Sequence, residues 1–281
     1  MKSDNPFDSA ASLNYKDVSH YWSNANPSIL GPYMMDGFGF PASAGQYRFC
    51  GESEIVQRLI DDADYAGTAL DLGSGAGHWT EYFAQRFTKV VAVEASSPLF
   101  EAMTQRCSTY TNVSFIHGNV LSFEPEGQYS LIFLGGMLMY LNKCDVIALL
   151  QKVTPLLVQG GVIVCRESTV RNETVVREGD YQVVYRSVQT YRGIFNKCDL
   201  SVDHVEMNVP YILMQMGCEF IKKWKMKVPS SLQAIPIVGH VTYWALRLTR
   251  PWITRLPATI GVAFPELTNH FFVLRKGFSD R

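Results

Sequence analysis

With 281 residues, 47% of them hydrophobic and 18% charged, the chain can bury a sizeable core as one large domain with appendages. Its net charge of −1 gives no electrostatic case for nucleic acid as the main partner. The cysteines (Cys50, Cys107, Cys144, Cys165, Cys198, Cys218) form no C-x-x-C pair and no Cys/His cluster, which argues against a metal site or disulfide frame and fits a reducing cytoplasm.

The opening Met1-Lys-Ser-Asp-Asn-Pro has no apolar core, so no secretory signal is expected there. Residues 1–50 are aromatic and poor in charge, with Tyr15, Tyr21, Trp22, Tyr33, Phe38, Phe40 and Tyr47. Pro27, Gly31, Pro32, Gly37, Gly39 and Pro41 break any long element, leaving a short helix around Tyr15–Asn24 and then a loop. Its rings are costly to leave in water, so the segment is expected to pack over the core, either as a lid above a ligand or as plain N-terminal packing. A helical spacing of Ile55, Val56, Leu59 and Ile60 marks Glu52–Ala63, and the apolar run Ala69–Leu72 follows as strand 1. Then come Gly73, Gly75 and Gly77, alternating with small residues before a helical pattern begins near Trp79: a tight turn into a helix N-terminus, where a ligand can approach the backbone. Strand 2, Val90–Glu94, ends in an acidic residue 21 positions after Gly73, a placement that suits a ribose diol. A dinucleotide fingerprint reads G-x-G-x-x-G, whereas this chain reads G-x-G-x-G with Asp71 inside the first strand, which disfavours a nicotinamide dehydrogenase.

That pattern resembles motif I of the class I S-adenosylmethionine-dependent methyltransferases, [DE]-x-G-x-G-x-G, with Asp71, Gly73, Gly75 and Gly77 filling all four fixed places. The resemblance runs from about Ala69 to Ser168 and returns at the C-terminal strand. It implies S-adenosyl-L-methionine as cofactor, held by Asp71, Gly73, Ser74, Gly75, Gly77 and Trp79, by Glu94 and Ala95, by Asn119 and Val120, and by Gly135. It also favours the lid reading of the N-terminal segment, with Tyr21 and Trp22 facing substrate.

Pro98–Cys107 reads as the second helix and Val113–His117 as strand 3. At the following Gly118-Asn119-Val120 the resemblance implies an adenine contact by Asn119, although Gly-Asn is equally a turn after a strand. Gln128–Leu134, continuously apolar, suits a strand 4 buried on both faces; Ser130 stands where the family commonly has Asp. In the loop Gly135-Gly136-Met137-Leu138-Met139-Tyr140, the methionines read as core filling and Tyr140 as the polar group able to face a substrate. An amphipathic helix over Asp145–Leu157 and strand 5 within Gly160–Ser168 complete a regular strand–helix alternation. The expected fold is therefore α/β, a doubly wound Rossmann-like sheet of seven strands, with an N-terminal lid and a helical insertion before the last strand.

The run Tyr185-Arg186-Ser187-Val188-Gln189-Thr190-Tyr191-Arg192 is expected to open a helix, with Tyr185, Arg186 and Tyr191 lining a pocket mouth or else lying on an exposed helix face. This arrangement resembles, distantly, protein N-terminal methyltransferases; their Asn-containing loop after strand 5 and His after strand 4 are absent, since those places read Arg166-Glu167-Ser168 and Met139-Tyr140. Strand 6 is expected over Asp203–Val209, and His270–Arg275 as a final strand that the resemblance places antiparallel between strands 5 and 6. The chain thus divides into a lid segment 1–50, a core of 51–209 and 266–281, and an insertion 210–265. That insertion is rich in Ile, Leu, Trp and Met, with basic residues from Lys222 to Arg255. Its uncharged stretch Val228–Leu246 is broken by Pro229, Pro236 and Gly239 and is not a spanning helix. It could dock to a membrane or a lipidic substrate, but the prolines favour a helical cap that enlarges the pocket or makes a dimer contact.

Methyl transfer to an amine, thiol or hydroxyl needs a lost proton, so a base can help. Tyr140 and Glu167 are the candidates whose place in the fold is right, with His78 and His20 behind them. No N-P-P-[FY] signature follows strand 4 and no carboxylate cluster suggests a metal. A small-molecule acceptor is the expected partner, with N-, S- or O-methylation and the oligomeric state open. Alternatives are a protein or lipid acceptor docked through the insertion, or a non-catalytic cofactor-binding subunit.

Overall fold

The computed structural model describes residues 12–26, 39–233, 235, 237–250, 252–262 and 264–277. Tyr33, Phe38 and the chain-breaking Pro27, Gly31, Pro32, Gly37 and Pro236, together with Met1–Pro6, lie outside the described residues.

The first helix is α1 (Tyr15–Ser23), capped by the Asn14 side chain, which accepts from Lys16 N. Next come α2 (Ala42–Leu59), β1 (Thr68–Leu72), α3 (His78–Ala84), β2 (Lys89–Glu94), α4 (Ser97–Arg106), β3 (Val113–His117), β4 (Tyr129–Leu134), α5 (Lys143–Val153) and β5 (Leu157–Val170). These strands pair in parallel in the spatial order β3-β2-β1-β4-β5, so the chain winds outward from β1 in one direction and then crosses back to β4. Neighbouring residues serve opposite faces. Leu70, Leu72, Ile132, Leu134, Ile163 and Cys165 pack with Leu149, Leu150 and Val153 of α5. Ala69, Leu131, Phe133, Val162 and Val164 pack with Val56 of α2 and with Tyr82 and Phe83 of α3. A strand covered on both faces has no polar side to alternate, which is why β4 is buried at every position.

Beyond β5 the chain forms a hairpin of β6 (Val175–Arg177) and β7 (Val183–Ser187), then α6 (Val188–Asn196) and β8 (Leu200–Met207). The last strand, β9 (Thr268–Lys276), lies antiparallel between β5 and β8, as the family resemblance implies. The sheet has nine strands rather than seven because the β6–β7 hairpin is added to the end of β5. Tyr185 and Arg186 therefore lie on a strand, contrary to the helix expected there. The β-branched pair Val183-Val184 belongs to that strand, and Ser187 then caps α6 by accepting from Thr190 N.

α2 also starts ten residues earlier than its apolar spacing indicates. Its first turns are held by tertiary contact, with Ala44, Phe40 and Tyr47 packed against Met214 and Tyr243. Between β8 and β9 lie α7 (Val209–Lys225), α8 (Ser230–Gln233), α9 (Ile237–Thr249) and α10 (Trp252–Thr259). Asn208 ends β8 and caps α7 by accepting from Tyr211 N, so Val209 belongs to the helix and not to the strand.

Candidate active site

The winding reverses between β1 and β4, and ligands of such sheets bind beyond the carboxyl ends of the strands at that point. A cavity of about 770 Å³ lies there. One end is built by three neighbouring strand ends. Asp71, from β1, is buried and accepts a 2.7 Å hydrogen bond from Thr80 Oγ1. Burial pushes its carboxyl up to about 7, Thr80 opposes the rise and the nearby Glu94 adds to it. Gly75 has φ +57, and its N–H donates to Glu94 Oε2 at 2.8 Å; a Cβ there would stand in open space on the cavity wall. Gly77, at φ +81, has a packing reason instead, because a Cβ would lie 3.0 Å from Met103 Cα on α4.

Glu94 is clamped at both oxygens, its Oε1 accepting from Ser96 N at 2.8 Å. Burial raises its pKa, and the backbone donors of Ser96, Gly75 and Ala95 pull the other way. Trp79 contributes a buried indole N–H with no hydrogen-bond partner, and Trp79 lines the cavity.

The other end is aromatic. Trp22 of α1 stands edge-on to Tyr140 at 5.2 Å, and Tyr21 contacts Tyr181 at 5.0 Å. The hydroxyls of Tyr140 and Tyr181 share a 2.7 Å hydrogen bond. α1 is tied down over this end: Ser96 Oγ donates to Trp22 O at 2.7 Å, Asn142 N donates to Tyr15 Oη at 2.9 Å, Tyr15 Oη donates to Asp145, and Gln182 Nε2 donates to Asp17 Oδ2 at 2.8 Å. Burial beside Asp145 pushes the Tyr15 phenol up to about 12. Burial likewise raises Tyr140, Tyr181, Tyr185 and Tyr211, so these phenols hold their protons at neutral pH.

Beneath the rings lies a charged group. Glu52 is fully buried; its Oε1 accepts from Arg48 Nε at 2.9 Å and from Asn208 Nδ2 at 2.7 Å, and Arg166 Nε forms an ion pair with Oε2 at 2.8 Å. Burial alone would raise the Glu52 pKa, but Arg166 and Arg48 hold it below its ordinary value. Arg48, Arg166, Ser168, Tyr211 and Asn269 all line the cavity, so two guanidiniums held by Glu52 form part of its floor.

The structure brings most of the sequence-derived residues together. Asp71, Gly73, Ser74, Gly75, Trp79, Glu94, Ala95, Asn119, Val120 and Gly135 line the cavity, as do Tyr21, Trp22, Tyr140 and Tyr185. Among the described residues, four stand off its wall. Gly77 packs on α4. Arg186 is buried and donates to Leu138 O and Leu141 O at 2.9 and 2.6 Å, holding the loop after β4. Tyr191 is buried against Phe195 and Phe272. Glu167 is also buried; its Oε1 accepts from Met137 N and Leu138 N at 3.1 and 3.0 Å, so it braces that same loop from beneath. Burial pushes Glu167 up to about 7, opposed by the Leu138 backbone donor and by the nearby Arg186 and Arg166 guanidiniums. Of the two histidines, His78 lines the cavity with burial lowering it to about 4, so it is neutral and weakly basic; His20 is exposed and off the wall. Sequence reasoning missed Arg48 and Glu52, whose signal was an i,i+4 Arg–Glu pair on a helix. It also missed Tyr211 and Asn269, for which no local signal exists.

The donor set suits a nucleoside with a charged tail: a doubly anchored carboxylate beside an open glycine, apolar Leu99 and Val120, and an unpartnered indole N–H. The fold is shared with solved methyltransferases. A SAM-dependent methyltransferase of Leishmania major aligns with a TM-score of 0.62 at 15% identity, over 93% of this chain and 82% of that one. The O-methyltransferase of a trans-AT PKS multienzyme of Brevibacillus brevis, in complex with S-adenosyl-L-homocysteine, aligns with a TM-score of 0.57 at 16% identity, over 80% and 72%. In sequence, ribosomal RNA small subunit methyltransferase A of Anoxybacillus flavithermus is 35% identical over 114 residues, 40% of this chain and 37% of that one. The chain spans about half the length, or less, of the curated relatives it matches. The family model of the AdoMet dependent proline di-methyltransferases matches residues 10–214. The chain belongs to that family of S-adenosylmethionine-dependent methyltransferases.

Proposed function

We propose that the chain transfers the methyl group of S-adenosylmethionine to the nitrogen of a small amine held in the aromatic end of the cavity. The observation that carries this reading is the continuity of one cavity, from the Gly75–Glu94 end to the ring of Tyr21, Trp22, Tyr140 and Tyr181 under α1. When bound, S-adenosylmethionine supplies an electrophilic methyl on a sulfonium, displaced in line by a nucleophile.

The residues of the chain orient, desolvate and discharge. Glu94 and the open turn at Gly75 fix the nucleoside end; Asp71 faces the cavity as a carboxyl that a cation would hold ionised. Aromatic faces attract a cationic centre and exclude water from it. Among the described lining residues, the only carboxylates are Asp71 and Glu94, both at the cofactor end. With its phenols protonated, the acceptor end offers no strong base. An amine suits that lack, because it enters with its own lone pair once neutral, and the guanidiniums of Arg48 and Arg166 on the cavity wall disfavour its ammonium. Nitrogen–carbon bond formation and sulfur–carbon cleavage balance, the sulfur keeping the electron pair, and the new ammonium gives its proton to water.

The family's description, a proline di-methyltransferase, favours a second acceptor, a proline nitrogen, which is a secondary amine when free and within a peptide is free only at the amino terminus. The test is methyl uptake by mass spectrometry with small secondary amines, thiols, alcohols, a peptide beginning with proline and ribosomal RNA. Uptake by small amines supports the proposal; uptake by the peptide alone selects the second acceptor. Uptake by thiols, alcohols or RNA alone would overturn both.

A further inference from the structure

Between Glu219 and Glu266 the chain has no acidic residue. In that stretch lie four lysines at positions 222–227 and Arg247, Arg250 and Arg255, a charge of +7, so with the whole chain at −1 the remaining residues carry −8. The same stretch shows an unusual apolar pattern. α9 buries Gly239, Tyr243 and Leu246, and the latter two pack among side chains of α7. Its outer face, where a surface helix would carry polar residues, shows Ile237, Val241, Trp244 and Leu248 at spacings of four, three and four, between 50% and 80% exposed. α10 continues it with Trp252, 81% exposed, and Leu256. Single exposed apolar residues are ordinary, but a stripe running over two consecutive helices marks an interaction surface.

Its charge selects the occupant. A second copy of this chain meeting the face symmetrically would bring together two cationic stretches that hold no acidic residue between them. No helix among the described residues is long and apolar enough to cross a membrane. Short helices with Trp and Leu outward, and with exposed Arg247 and Arg255 beside Leu248 and Leu256, have the composition of elements that lie in a headgroup layer. We infer that α9 and α10 dock this protein on an anionic lipid bilayer, their apolar stripe inserted and the exposed Arg247 and Arg255 against the headgroups. α7 joins that surface to the cavity, since Met214, Gln215, Cys218 and Lys222 line the cavity and Phe220 and Met226 are exposed. The inference is independent of the acceptor proposed above.

The experiment is co-sedimentation of the full chain with phosphatidylcholine vesicles, with and without phosphatidylglycerol, beside light scattering of the free protein. The expected result is binding at least roughly tenfold stronger to the anionic vesicles and falling with salt. Trp244→Glu with Leu248→Glu should remove that binding while S-adenosylhomocysteine affinity, read by calorimetry, stays unchanged and so reports an intact fold. Three results would overturn the inference. One is no binding to anionic vesicles. Another is a soluble dimer that the double substitution dissociates. The third is vesicle binding that the double substitution leaves intact, which charge alone would explain.

Discussion

The cofactor end of the cavity is assembled from residues 71–135, in chain order, along adjacent strand ends, whereas the acceptor end draws on Tyr21, Arg48, Tyr140, Arg166, Tyr181, Tyr211 and Asn269 from separate segments. At the first end the backbone holds the side chain in place, Gly75 N and Ser96 N both donating to the Glu94 carboxylate. At the second, side chains hold one another, as in the ring contacts around Tyr140 and the Arg48–Glu52–Arg166 group. A backbone-built site tolerates little change in its few residues. A side-chain-built site can change acceptor by changing rings, provided its buried charges stay paired.

The largest effects should fall on the first end. Gly75→Arg forces a bulky side chain into a left-handed backbone and into the cavity, and binding of S-adenosylhomocysteine should drop beyond detection in calorimetry. Glu94→Ala removes one charged acceptor and frees two buried N–H groups, a loss of about 1.5–3 kcal/mol, or roughly ten- to hundredfold in affinity. Retained affinity in both variants would show that the cofactor does not use this turn.

Next in size is the floor of the second end. Glu52→Ala leaves Arg48 and Arg166 buried against one another, and should destabilise the fold by about 3–5 kcal/mol in chemical denaturation. If the two ends are separate constructions, cofactor affinity of the fraction that remains folded should change little. An equal loss of affinity would mean that Arg166, which also donates to Gly135 O at 3.2 Å, couples them.

The contrast also explains what could be read before the fold was known. The motif Asp71–Gly77 and Glu94 are local patterns whose spacing is dictated by a strand, a turn and the next strand, so the switch-point site was legible. The sheet core was legible for the same reason: Leu131–Leu134 and Val162–Cys165 are apolar runs that only a doubly covered strand needs. Tyr185 and Arg186 were misread, because a Tyr-Arg run has no strong helix or strand period and the pairing of Arg186 with Thr169 decides it. Glu167 was placed at the correct strand end, but its side chain points under the loop, a fact set by Met137 N and Leu138 N and by nothing in the sequence around it. Asn208 donates to Glu52 and, across the insertion, to Asn269 Oδ1, and long-range pairs of this kind leave no local trace.

A pH experiment sharpens the comparison further. Asp71 has a folded-state pKa of about 7, against an ordinary value of 3.8. A raised carboxyl favours the folded state while protonated, so its contribution is complete below about pH 4 and lost as pH rises through 7. At 1.36 kcal/mol per unit, that is about 4 kcal/mol over the window for the ligand-free protein. Asp71→Asn should therefore flatten the fall in stability between pH 4 and 8, gaining on the wild type as pH rises. A parallel offset at every pH would mean that Asp71 stays ionised throughout.

The smallest effects are expected at the two residues first considered as bases. Removing a true general base costs about 10²–10⁴ in rate and alters the pH–rate profile. Glu167→Gln keeps an oxygen that can accept from Met137 N and Leu138 N, so the loop after β4 stays braced and kcat should change by less than about tenfold. Tyr140→Phe removes the hydroxyl that pairs with Tyr181 but leaves the ring against Trp22, so the expected loss is again severalfold, carried in KM for the acceptor. In both variants the acidic limb of kcat/KM should keep the pKa of the acceptor amine, because the proton leaves the amine before it reacts. A limb that moved with Glu167→Gln would make that buried carboxylate the proton acceptor, and the acceptor end would then depend on the loop rather than on its rings.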